Sequence, residues 1–74
     1  MNDQNKNKVM NFITTIEQLK DGVREVLQEE QSVLDNLPEE RKKDSRTIQD
    51  SIYCLEEALD TCDLTLGYLK GAVK

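Results

Sequence analysis

Apolar residues recur along the first half of the chain at alternating steps of three and four residues. They are Val9, Phe12, Ile16, Leu19, Val23, Val26, Val33 and Leu37. This is the a/d heptad pattern of a helix that packs against another helix. Ile13, Leu27 and Leu34 widen the apolar stripe. The pattern predicts a first helix over residues 9–36, preceded by a polar, frayed tail at residues 1–8.

The second half of the chain carries a cleaner series of the same kind. Its members are Ile48, Ile52, Leu55, Leu59, Cys62, Leu66, Leu69 and Val73. Suitable N-cap residues lie between positions 44 and 47, and Gly67 and Gly71 indicate that the last turns are loose or capped. We therefore predict a second helix over residues 47–70.

The stretch between the two helices, residues 37–46, contains Pro38 followed by a run of charged residues. Proline pushes the preceding residue out of the α region, so the first helix is expected to end before it. We interpret the stretch as a connector that begins like a short helix. The whole chain, residues 1–74, is then predicted to be one all-α domain: a long antiparallel helical hairpin, or two-helix coiled coil.

A hairpin of this length is expected to need a second copy. Two helices bury only one stripe each and leave the edges of both stripes in water, so we predict that two hairpins dimerise into a four-helix bundle. Tyr53, Leu64 and Tyr68 support an interface, because a step of about 100° per residue places them opposite the seam of the second helix. The alternative is that they are three scattered exposed residues.

Two residues of the first helix are unusual for their positions. Glu30 occupies an a position, where a carboxylate paired with Tyr53 or with an arginine of a second chain would fix register and oligomeric state. The other interpretation is that its side chain reaches water at the edge of the bundle. Gly22 costs about 1 kcal/mol relative to alanine inside a helix and indicates a close contact or a slight kink.

Composition and charge narrow the classes of partner. Fifteen acidic and ten basic residues give a net charge of −5, which argues against nucleic acid and anionic membranes. We see neither a charged-then-apolar leader nor an apolar run of roughly 20 residues, so we expect a cytoplasmic protein with reduced thiols. Cys54 and Cys62 are separated by about 12 Å along one helix, too far apart to pair within a chain.

Side chains that carry chemistry are scarce. The absence of histidine removes the usual general base and the commonest transition-metal ligand. Glu56 with Asp60, or Glu57 with Asp60, share a helical face without any loop ligand, so we interpret them as a solvated acidic surface. Neither cysteine has a basic neighbour in sequence that would activate it. We therefore expect no enzymatic activity, no cofactor and no metal.

One set of short motifs resembles a known group of proteins. Glu29-Glu30-Gln31, Asp35-Asn36-Leu37-Pro38-Glu39, Ser45 and Leu55-Glu56-Glu57-Ala58 occur in this order. The order is similar to the EEQ, DN-[LM]-PE, S, LEEA pattern of small, largely uncharacterised bacterial and phage-borne proteins. The resemblance covers about residues 25–66 and departs at residues 41–44, Cys54 and Cys62. It implies a helical hairpin of prophage or mobile-element origin and carries over no site residue.

Together these features favour a non-enzymatic protein-interaction module. We expect a small self-associating helical bundle that binds a host or phage protein, with inhibition as one expected role and Tyr53, Leu64 and Tyr68 as its anchors. Two alternatives stay open. The chain is a structural or assembly protein whose apolar faces are used up in homo-oligomerisation, or it takes up a small ligand at the subunit interface.

Overall fold

A computed structural model describes residues 1–74 and contains two long helices joined by a short one. Helix α1 covers Asp3–Asp35, a 3-10 helix covers Glu39–Asp44, and helix α2 covers Ser45–Ala72. Lys20 contacts Asp63 and Glu17 contacts Lys70 across the two long helices, which therefore run antiparallel. The predicted all-α helical hairpin is confirmed, and it extends 59 × 15 × 12 Å across its Cα atoms.

Helix α1 begins at Asp3 and not at Val9, so residues 3–8 of the predicted frayed tail are helical. Asn2 explains the earlier start. Its side-chain oxygen accepts a hydrogen bond from the Asn5 N–H at 2.8 Å, which satisfies one of the amide groups that lack a partner in the first turn of a helix. Asp3 adds a negative charge at the end of the helix where the dipole favours it.

The first helix ends before Pro38, as the proline predicts, and Asn36 closes its last turn. The Asn36 N–H donates to the Ser32 carbonyl at 3.1 Å, and its side-chain amide donates to the same oxygen at 2.9 Å. Together these two bonds satisfy a carbonyl that would otherwise lack a partner at the end of the helix.

The 3-10 helix runs into α2 without a break, so α2 begins at Ser45, earlier than the predicted residue 47. Asp44 immediately precedes α2 but makes no capping hydrogen bond to it. Its carboxylate accepts a hydrogen bond from the Arg41 Nε at 2.6 Å. At the other end, α2 continues beyond the predicted Lys70 to Ala72, because no glycine adopts the left-handed conformation that commonly ends a helix.

The seam predicted for α2 lies along the contact with α1. All eight of its residues are buried or half-buried, and most positions between them are exposed. These residues are Ile48, Ile52, Leu55, Leu59, Cys62, Leu66, Leu69 and Val73. The alternation of four and three was sufficient here because α2 offers only one long apolar series.

The seam of α1 is rotated relative to the prediction. From residue 9 onward the buried and half-buried positions are Val9, Ile13, Ile16, Lys20, Val23, Leu27, Glu30, Leu34 and Leu37. Phe12, Leu19, Val26 and Val33 were predicted to lie in the seam and are exposed, so that part of the prediction is wrong. The physical reason is that α1 carries three adjacent apolar rows, and a single partner helix covers only two of them.

The hydrophobic core of the hairpin is very small. Only Ile13 and Leu66 are buried, with 5% and 6% of their surfaces exposed. A chain of this length has little margin of stability even with a full core. The single hairpin therefore leaves most of its apolar side chains at least partly in contact with water.

Candidate interaction surface

One broad side of the hairpin is charged, and we call it the ion-pair face. Lys20 on α1 pairs with Asp63 on α2, and Lys70 Nζ lies 3.6 Å from Glu17 Oε1. These residues line a shared groove with Asp21 and Arg24, which pair with each other within α1 at 3.1 Å. Charged side chains thus bridge the two helices along this side.

Asp63 is the one titratable group on this face whose pKa is shifted. The hydrogen bond from the Lys20 ammonium lowers the pKa of the Asp63 carboxyl, and the positive charges of Lys20, Arg24 and Lys70 lower it further. Partial desolvation opposes them. The carboxylate therefore stays charged to a lower pH than an ordinary aspartate does, and in that form it pairs with Lys20 across the two helices.

The opposite side of α1 carries a row of large apolar side chains at intervals of seven residues. We call it the large row, and it consists of Phe12, Leu19, Val26 and Val33. Each of these side chains is about half exposed. Seven residues are nearly two turns of an α-helix, so the row forms one continuous stripe beside the seam.

Small residues of α2 form a matching row on the same side of the hairpin as the large row. This small row consists of Ser51, Ala58, Thr65 and Ala72, all exposed and again seven residues apart. The hydroxyls of Ser51 and Thr65 donate to the carbonyls of Thr47 and Thr61 at 3.1 and 3.0 Å, so neither hydroxyl requires water as an acceptor. We call the large and small rows together the two-row face.

Glu30 lies at the edge of the two-row face. It lines an open groove with Val26, Ser51 and Cys54, and its side chain is half-buried. The carboxylate makes no hydrogen bond or ion pair within the chain, and Tyr53 is not among the residues that line the groove. Within a single chain this placement corresponds to the interpretation in which the carboxylate reaches water.

The predicted interface residues Tyr53, Leu64 and Tyr68 are largely exposed on α2, and we call them the outer stripe. Helical geometry places all three on the side of α2 that points away from α1, with Tyr53 turned toward the ion-pair face and Tyr68 toward the small row. Neither tyrosine hydroxyl makes a hydrogen bond within the chain. That the outer stripe forms an interface stays a prediction.

The remaining candidates for chemistry lie apart from one another. Cys54 is exposed and Cys62 half-buried in the seam, and both are free thiols. No group of three or more cysteine, aspartate or glutamate side chains is placed to hold a metal ion. Neither long helix has a stretch of sufficient length and hydropathy to cross a bilayer.

The large row as an exposed surface is the feature that the sequence interpretation missed. A signal for it was present, because Ile13, Leu27 and Leu34 share a seven-residue spacing that includes Lys20. If these four positions are treated as a row of their own, α1 can be rotated so that this row, and not the large row, contacts α2. The row was not recognised because its second member, Lys20, is charged.

Comparison with known proteins adds no relative: no family model, curated protein or solved structure matches the chain.

Proposed function

We propose that this chain is a non-enzymatic protein-interaction module that works as a self-associated helical bundle and binds a further protein through the outer stripe. The observation that carries the proposal is the exposure of the large row beside a core of only two buried residues. Apolar rows of this length are rarely left in water, since covering them is the main source of stability for small helical domains.

The outer stripe supports the second half of the proposal. Tyr53 and Tyr68 are the only tyrosines of the chain, and both are among its most exposed apolar side chains. Tyrosine combines a large apolar surface with a hydroxyl and is enriched at protein interfaces. The resemblance of the sequence motifs to those of phage-borne proteins suggests a host or phage protein as the partner.

Self-association is tested by light scattering on the purified protein after size-exclusion chromatography. At micromolar concentration we expect a dimer, with helicity that falls on dilution because folding and association are coupled. A folded monomer at all concentrations would contradict the proposal. The same dilution series followed by circular dichroism shows whether the helices persist after dissociation.

Binding of a further protein is tested by photo-crosslinking in cells of the native host. Tyr53 or Tyr68 is replaced by a photoreactive phenylalanine analogue, and Glu25, an exposed residue of α1 outside both apolar surfaces, serves as the matched control. We expect a cross-linked product with a different protein from the two tyrosine positions alone. A product formed only with a second copy of the chain would favour the purely structural function.

A further inference from the structure

We propose that a second copy of this chain covers the two-row face and leaves Tyr53 and Leu64 outside the contact. The inference rests on the proposed self-association and assigns it to one surface. The sequence alone assigns both self-association and binding of another protein to the outer stripe. We assign self-association to the large row and binding of another protein to the outer stripe.

The apolar pattern of α1 is that of a helix with two neighbours. Its residues occupy three heptad positions, represented by Val9, Phe12 and Ile13, whereas a helix in a two-stranded coiled coil requires only two. In the hairpin, α2 covers the rows that include Val9 and Ile13. The row that begins with Phe12 lies directly beside them, where a second neighbouring helix packs in a four-helix bundle.

The distribution of charge distinguishes the two broad sides of the hairpin. Covering the ion-pair face would remove Lys20, Asp63 and Lys70 from water, which is costly for charged groups even when they are paired. The two rows of the opposite face contain no charged residue, and the hydroxyls of Ser51 and Thr65 are bonded to the backbone. The carboxylates nearest to these rows, Glu30 and Asp50, line the groove at one end of the face. Covering the two-row face therefore desolvates fewer charged groups than covering the ion-pair face.

The size and shape of the two-row face also fit a second copy. Each row rises about 32 Å along its helix, and two helices side by side are about 20 Å across with their side chains. The two-row face therefore measures about 640 Å², at the low end of the roughly 600–1,000 Å² that each partner contributes to a stable interface. A row of large side chains beside a row of small ones makes a ridge and a groove. A copy related by a two-fold axis along the helices would place each ridge in the groove of its partner.

The outer stripe is a poor surface for a two-fold contact. Glu57 and Asp60 lie between Tyr53 and Leu64 on the same side of α2, and neither carboxylate has an ion-pair partner in the chain. A two-fold interface places each patch against itself, so it would bring these like charges together. A basic or neutral protein is a better match for this surface than a second copy.

The proposal is tested by the reactivity of single cysteines introduced on the two surfaces. Leu19→Cys and Leu64→Cys are compared in a Cys54→Ser, Cys62→Ala background. The two leucines are 54% and 62% exposed in the hairpin, so their cysteine variants are matched reporters. We expect alkylation of the Leu19→Cys variant to slow about tenfold or more when the protein is concentrated above its dissociation constant, because the dimer excludes solvent from the two-row face. Alkylation of the Leu64→Cys variant should change far less, because Leu64 is already largely exposed in the folded hairpin.

A second pair of variants tests the same assignment by light scattering. Leu19→Glu is expected to abolish the dimer, since two-fold symmetry would bury the introduced charge twice, whereas Leu64→Glu should leave the dimer intact. If Leu19→Glu fails to fold, the alkylation rates decide. A wild-type monomer refutes the proposed self-association itself. A wild-type dimer in which the Leu64→Cys variant is protected and the Leu19→Cys variant is not refutes only the choice of surface.

Discussion

Lys20 of α1 donates a hydrogen bond to the carboxylate of Asp63 on α2, and the two side chains differ sharply in exposure. Only 13% of the Lys20 side chain is accessible, against 60% for Asp63. The aliphatic stem of the lysine lies in the helix–helix contact, and its ammonium group emerges at the edge. A charged residue thus occupies a seam row of α1 without leaving its charge buried.

The stability contributed by Asp63 is expected to depend on pH. Its pKa in the folded chain lies below the ordinary value of 3.8, so the unfolded chain binds a proton more readily. The contribution is therefore fully present above pH 3.8 and is lost as the pH falls through the folded pKa. Thermal unfolding of wild type and Asp63→Asn should show wild type more stable at neutral pH and the difference vanishing in acid.

The Lys20→Met variant provides the control for this pH dependence. Because the hydrogen bond from Lys20 is the main cause of the lowered pKa, Asp63→Asn should have a much smaller effect in the Lys20→Met background. Titration of the Asp63 carboxyl carbon by NMR measures the pKa directly. A value at or above 3.8 in wild type would contradict the assigned ion pair.

Replacing Glu30 by leucine is expected to stabilise the protein. Glu30 is half-buried in a seam row and makes no polar contact within the chain, so an apolar side chain of similar length should gain about 1 kcal/mol. For a domain of this size that corresponds to a rise in Tm of about 4–8 °C. Differential scanning calorimetry measures the change, and light scattering checks that the oligomer is retained.

Glu29→Leu is the matched control, because Glu29 is the preceding residue and is exposed. It should leave the Tm nearly unchanged, since no burial accompanies the substitution. A lower Tm for Glu30→Leu, or a different oligomeric state, would show instead that the carboxylate has a partner in a second chain and fixes the register of the bundle.

Alanine at Gly22 or Gly67 is expected to stabilise the hairpin by about 1 kcal/mol in each case. Both glycines lie inside helices, and a Cβ atom built on either has no neighbour within 4 Å. The single chain thus shows no close contact at Gly22. Chemical denaturation of the two variants, with the slope compared to that of wild type, gives the free-energy change.

The stability changes of the two alanine variants also probe two different surfaces of the assembly. Gly67 lines the groove of the ion-pair face, which we expect to stay uncovered, and Gly22 lies toward the side of α1 that carries the large row. A gain at Gly67 combined with a loss at Gly22 would show that another backbone approaches Gly22 in the oligomer, contrary to the expected gain at both positions.

Much of the candidate site was accessible from the sequence, but its assignment to surfaces was not. The exposed positions of Tyr53 and Leu64 follow from their angular separation from the α2 seam. The exposure of Leu19 does not follow, because the same heptad pattern fits a helix turned by one position. The small row was overlooked because Ser51 and Ala58 give no hydrophobic signal of their own.

The sequence by itself determined two helices, the turn at Pro38 and the face that α2 presents to α1. These features depend on local chemistry: the missing backbone N–H of proline and a single apolar series on one helix. Only the tertiary structure decided the rotation of α1. Its three apolar rows are nearly equivalent in isolation, and the choice depends on contacts with another element, such as the one that joins Lys20 to Asp63.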